Sequence, residues 1–151
     1  MGIIAAKTNI PSAKFVFPPN GDLTSIKSDT AFTIIVAIAR LQVGTFTNAK
    51  ETYYSAPQKV NDQGNIIGHT HVVIEKLESL AQTTPLDPTK FVFFKGVNTA
   101  VDEGGQVRVD VTGGIPEGFY RLSTINTAAN HQPCLVAVAQ HGSLDDAVYV
   151  R

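Results

Sequence analysis

The run QVRVDV, residues 106–111, alternates apolar and polar side chains without a break. Successive side chains of an extended chain point to opposite faces, so Val107, Val109 and Val111 fall on one side, with Arg108 and Asp110 on the other. This is the pattern of a half-buried strand, and seven further apolar or alternating runs accompany it. They are KFVF (14–17), FTIIVAIARL (32–41), HVVIEKL (71–77), KFVFFKGV (90–97), GFYRLSTI (118–125), CLVAVAQ (134–140) and DAVYV (146–150). Turn residues separate them, as in Pro18-Pro19-Asn20-Gly21. No long 3.6-residue periodicity competes, although LESLAQ and SDTAF suit a turn or two of helix. The pattern predicts one all-β domain over residues 1–151, an antiparallel β-sandwich of about eight strands, immunoglobulin-like or jelly-roll-like. FTIIVAIARL, apolar on both faces, suits a central strand covered on both sides. Ile34, Val36, Val109, Leu135 and Val138 are the expected core.

Composition removes several function classes. Charged residues make up 17% of the chain, below the roughly 25% of ordinary soluble domains, which argues against disorder or a charge-laced helical bundle. The formal net charge is -1 and no basic run exists, so nothing offers the phosphate-neutralising surface that nucleic acid requires. The longest apolar run, AFTIIVAIA, is less than half the roughly 20 residues of a membrane-spanning helix. The start, MGIIAAK, lacks a basic segment followed by a long apolar one, so no signal peptide is visible. Cys134 is alone, which rules out an intrachain disulfide and a cysteine zinc motif; it reads as a buried thiol serving as a small hydrophobe.

The chemistry concentrates around the four histidines, which lie in GHTHVVIE (68–75), NTAANHQP (126–133) and AQHGSLDD (139–146). On a strand, His69, His71, Val73 and Glu75 share one face, while Thr70, Val72 and Ile74 share the other. Two imidazoles and a carboxylate, joined by His131 or His141 from another strand, make a ligand set for zinc or copper. The same residues also suit a structural polar seam on an ordinary sheet. The His-x-His-x3-Glu spacing is that of the first cupin box. PEGFYR (116–121) looks like part of the second, but Arg121 stands where that box places its histidine, so a fourth protein ligand is missing. His141, Ser143, Asp145 and Asp146 are neighbours in sequence, whereas triad residues are normally assembled by the fold, so they read as turn chemistry. Glu75, Glu78, Asp102 and Glu103 hold carboxylates whose separation sequence does not set. TGGIPEG (112–118) lacks the lysine of a phosphate loop. Tyr53 and Tyr54, in the long connection from about Gly44 to Gly68, are the best candidates for a recognition patch, because tyrosine gives amphipathic contact area at low entropy cost.

A longer set of stretches runs through nearly the whole chain in order: PSAKFVFPPNGD, TAFTIIVAI, YYSAPQ, GHTHVVIEKLESL, DPTKFVFFKGVN, GIPEGFYRLSTINTAANHQP and AQHGSLDDAVYV. In these the chain resembles a family of small fungal extracellular proteins. The resemblance implies secretion and brings no catalytic or binding residue with it. Two function classes follow. One is a non-enzymatic secreted binding protein whose ligand is a cell-wall glycan, a host surface or another protein. The other is a metal-binding protein or metal-dependent enzyme using His69, His71 and Glu75. With neither a redox-cofactor motif nor a convincing nucleophile, the binding protein stands first.

Overall fold

The structure is a computed structural model that describes residues 1–151. A single turn of 3-10 helix (Lys7–Asn9) precedes eight strands. These are β1 (Ser12–Phe17), β2 (Phe32–Ala39), β3 (Leu41–Gln42), β4 (Ile66–Leu77), β5 (Phe93–Val97), β6 (Gln106–Val111), β7 (Phe119–Ala128) and β8 (Ala147–Val150). One sheet has the order β1-β2-β6; the other runs β3-β4-β7-β8, with β5 also on β4. Every named strand pair is antiparallel except β3 with β4. The all-β expectation holds, and no helix is long and apolar enough to cross a membrane.

Alternation decides what faces inward. On β6, Val107, Val109 and Val111 are buried while Arg108 and Asp110 are exposed. Register sets Ile34 opposite Val109 and Val36 opposite Val107 on β2. The second sheet answers with Ile66, Val72 and Ile74 of β4, Tyr120 and Leu122 of β7, and Val148 and Val150 of β8. These residues form one buried cluster between the sheets, each large aliphatic contributing about 1.5–3 kcal/mol by leaving water.

Several local expectations are corrected. CLVAVAQ is not a strand: Pro133 has no N–H to offer, and the segment pairs only at isolated bridges, Thr127 with Pro133 and Ala5 with Val136. The buried side chain of Gln58 stands in for a neighbouring strand, receiving the Leu135 N–H at 2.9 Å and donating to the Leu135 carbonyl at 3.0 Å. Leu135 and Val138 are therefore half-buried flanks, not core. FTIIVAIARL is not doubly covered either. Arg40 takes φ +57° and turns the chain from β2 into β3 of the other sheet, and Thr33, Ile35 and Ala37 on the outer face of β2 stay half-buried. LESLAQ forms a turn closed by Gln82, whose Oε1 accepts from the Glu78 N–H at 2.9 Å, and Asp29 of SDTAF sits in a turn at φ +52°. The one α-helix, α1 (Ala49–Thr52), is a single turn inside the long connection. Its N-cap Asn48 accepts from the Lys50 N–H at 3.1 Å.

β4 is the longest strand and lies between β7 on one edge and β3 and β5 on the other. Its Ile66, Val72 and Ile74 supply the core, so His69 and His71 face the opposite side, where the α1 connection folds over one end.

Candidate metal centre

His69 and His71 lie on the outer face of β4, as the alternation requires. Register puts Thr127 opposite His69 and Ile125 opposite His71 on β7, with Gly96 of β5 opposite His71 on the other edge. Gly96 lies beside the ring: a Cβ there would stand 3.4 Å from His71 Cδ2, in ordinary van der Waals contact. His131 arrives from the turn after β7 with φ +69°, its N–H bonded to the Ala128 carbonyl at 3.0 Å. Buried Asn130 ties that turn to the α1 connection. Its side-chain oxygen accepts from Thr47 Oγ1 at 3.2 Å and its carbonyl from the Tyr54 N–H at 3.1 Å, and its amide donates to the Thr52 carbonyl. A local helix turn and a distant strand end are thus laced into one wall.

The three imidazoles converge. Ring centres stand 4.6 Å apart for His69–His131, 4.7 Å for His69–His71 and 5.9 Å for His71–His131. Imidazoles sharing one tetrahedral ion at about 2.0–2.1 Å per Zn–N bond have ring centres roughly 5 Å apart. The candidate ligand nitrogens all lie within 4.8 Å of one another.

Hydrogen bonds assign two of the tautomers. His69 Nδ1 lies 3.1 Å from the Thr45 carbonyl and His131 Nε2 lies 2.8 Å from the Thr47 carbonyl. A carbonyl only accepts, so each of these nitrogens carries the proton and donates. With both rings in the neutral form that metal coordination needs, the remaining nitrogens, His69 Nε2 and His131 Nδ1, each present a lone pair, and they face each other at 3.1 Å. Thr127 Oγ1, 3.2 Å from His69 Nε2, donates to one of them only. Two acceptors at that separation repel unless a proton or a metal cation lies between them. Backbone carbonyls that fix the outward nitrogen are also how metal-ligating histidines are held in orientation.

The surroundings of His69 and His71 favour their neutral forms. Burial, then the neighbouring His71 and His131, pushes His69 down from 6.5 to about 4, against an opposing contribution from the Thr45 carbonyl. His71 is lowered as well, by burial first and His131 second, with the Ile125 carbonyl opposing. Both are neutral near pH 7, as metal coordination requires. An ion held by His69, His71 and His131 would keep a coordination position open, where it would polarise an oxygen ligand or acidify a bound water.

Two expected ligands are not in the cluster. Glu75 lies four residues beyond His71, about 13 Å along an extended strand. Register sets it opposite Arg121, whose Nε and Nη2 donate to Glu75 Oε2 at 2.9 and 2.7 Å. The position where the second cupin box wants a histidine therefore holds the carboxylate's partner. His141 is exposed, its Nδ1 against the Gly142 carbonyl at 2.6 Å. Ser143 and Asp145 bond each other as turn residues, Ser143 Oγ donating to the Asp145 carbonyl at 2.7 Å. Cys134 is half-buried rather than fully so; burial, then the charge of Asp145, pushes its thiol up to about 12.

Two adjoining cavities open on the histidines. One, of about 270 Å³, is lined by Phe46, His69, His71, Phe94 and His131. The other, about 600 Å³, shares His71, Phe94 and His131 and adds Tyr53, Tyr54 and Asp145. Tyr53 and Tyr54 stack with ring centres 4.1 Å apart, and Tyr53 stands 5.8 Å from the His131 ring, so the expected recognition pair borders the histidine cluster. Sequence reasoning missed Phe46, Phe94, Thr127 and the carbonyls of Thr45 and Thr47. None carries a local signal, because each belongs to the site only through pairing with distant segments.

Residues 13–151 match the family described as the CLU5d N-terminal domain. The chain belongs to that family. It is also 46% identical over 147 residues to the pathogenicity cluster 5 protein d of the fungus Colletotrichum graminicola, which covers 97% of this chain and 30% of that protein. This CLU5d N-terminal domain thus spans under a third of the length of the curated relative it matches. The resemblance to fungal proteins holds at the level of family and relative. No solved structure matches the chain.

Proposed function

We infer that this domain binds one divalent transition-metal ion through His69, His71 and His131 and uses the open coordination position to hold a ligand. The observation that carries this is the convergence of the three imidazoles, with His69 Nε2 3.1 Å from His131 Nδ1 while the opposite nitrogen of each of these two rings meets a backbone carbonyl. Zinc and copper are the ions that neutral imidazoles serve well. Kinship with a fungal protein named for a pathogenicity cluster supports a role outside the cell as part of the same proposal.

Elemental analysis of untagged protein purified without chelator tests the reading. One zinc or copper per chain is expected, together with a melting temperature that rises with added metal and stops responding in His71→Ala. Absence of metal, with no thermal response to either ion, overturns it.

The exposed tyrosine pair favours a second reading, in which the domain contacts a glycan or a protein without metal. Tyr53→Ala would then abolish binding to that partner in chelator-treated protein, an outcome the metal reading does not produce.

A further inference from the structure

Both cavities that flank the histidines have a consistent chemistry. Neither is lined by a lysine or an arginine. A carboxylate or phosphate ligand would find no counter-charge there beyond the ion itself. Apolar and aromatic side chains line both: Phe46 and Phe94 in the smaller cavity, and Phe94, Tyr53 and Ile125 in the larger, with Phe94 47% exposed and 5.0 Å from the His71 ring. The one acid is Asp145. It lies beside β7 in line with β8, because Asp146 gives its carbonyl to the Thr124 N–H at 3.0 Å. Both side-chain bonds of Asp145 go to Oδ1, from the Asn126 N–H at 2.7 Å and Thr124 Oγ1 at 3.2 Å. No hydrogen bond within the protein engages Oδ2, which leaves this oxygen available to accept from a ligand.

The sheet sets the spacing. His71 pairs with Ile125, and the Asp145 segment is the next chain over, so the two residues stand two strand spacings apart, about 10 Å. A ligand reaching from the ion to Asp145 is therefore flat, apolar in its middle and polar at both ends. We propose that the larger cavity takes a neutral hydroxylated aromatic molecule, one end coordinating the ion on His69, His71 and His131 and a hydroxyl at the other end donating to Asp145 Oδ2. The proposal rests on the metal reading above. Its ring packs against Phe94 and Tyr53, and Asp145 selects for a hydrogen-bond donor at the far end.

The test uses cobalt(II)-loaded protein, whose visible bands report the ion's coordination. Cobalt stoichiometry is measured first. Then 4-(2-hydroxyethyl)phenol is titrated in, beside 4-ethylphenol, which lacks the far hydroxyl, and 2-cyclohexylethanol, which lacks the aromatic ring and its hydroxyl. The expected result is a saturable change in the cobalt bands with the first compound, about tenfold weaker binding of the second, and no change with the third. Asp145→Asn should bring the first two compounds within about threefold of each other. Phe94→Ala should weaken both about tenfold, and cobalt should remain at one per chain in each variant. Full cobalt uptake with no preference for 4-(2-hydroxyethyl)phenol over 2-cyclohexylethanol overturns the ligand proposal and leaves the metal reading standing. Equal affinity of the parent and Asp145→Asn for 4-(2-hydroxyethyl)phenol overturns the role of Asp145. Failure to take up cobalt is seen before any phenol is added, and overturns both.

Discussion

Acidification of the chelator-treated protein is expected to destabilise it chiefly through His69. This side chain is 2% exposed, and its folded-state pKa is lowered from 6.5 to about 4. An unfolded chain takes up the proton as pH falls through 6.5, whereas the folded chain resists until about 4, so the unfolded state binds more protons throughout that window. Stability from keeping His69 neutral is therefore fully present above pH 6.5 and lost as pH falls to about 4. At about 1.4 kcal/mol per pH unit, that gap corresponds to about 3 kcal/mol. His71, lowered in the same direction, adds to the slope. The assay is urea denaturation at intervals between pH 7.5 and 4 on the parent and on His69→Gln. Glutamine keeps a donor for the Thr45 carbonyl and does not titrate, while the carboxylates common to both proteins cancel in the comparison. The parent should lose about 3 kcal/mol more than the variant across the window. Parallel pH profiles would refute the buried, neutral His69 and the tautomer assignment built on it.

Glu75→Gln should leave metal content unchanged and lower stability by about 1–3 kcal/mol, because it breaks the charged pair with Arg121 rather than a ligand set. Elemental analysis and urea denaturation read the two effects separately. Ile34→Ala should cost about 2–5 kcal/mol, since Ile34 is fully buried between the sheets, and Leu135→Ala less than about 1.5 kcal/mol because its side chain is half-buried. Equal losses in the two variants would contradict the half-buried position of Leu135. Cys134 should react slowly with a thiol reagent at pH 8 in the native protein and rapidly in denaturant, its thiol being held at about 12.

The chain's own alternation determined which side chains travel together. QVRVDV had one possible split into inward valines and outward charges, and GHTHVVIE had one possible face for His69 and His71, because a strand's side-chain period of two needs no knowledge of its partners. The β class followed from the same local rule. Partner choice did not, since an apolar run is equally apolar beside any neighbour. CLVAVAQ reads as a strand, yet Pro133 and the Gln58 side chain leave it with isolated bridges. Register likewise decided the fate of Glu75: its place opposite Arg121 on β7 gives the carboxylate a cation, and the spacing that resembled a ligand set becomes a charged pair. His131 joins His69 across 62 residues only because Asn130 and Thr47 tie the turn after β7 to the α1 connection. Local covalent geometry is written in the sequence residue by residue. Convergence of three imidazoles on one point is a property of which distant backbones hydrogen-bond, and only the folded sheets decide that.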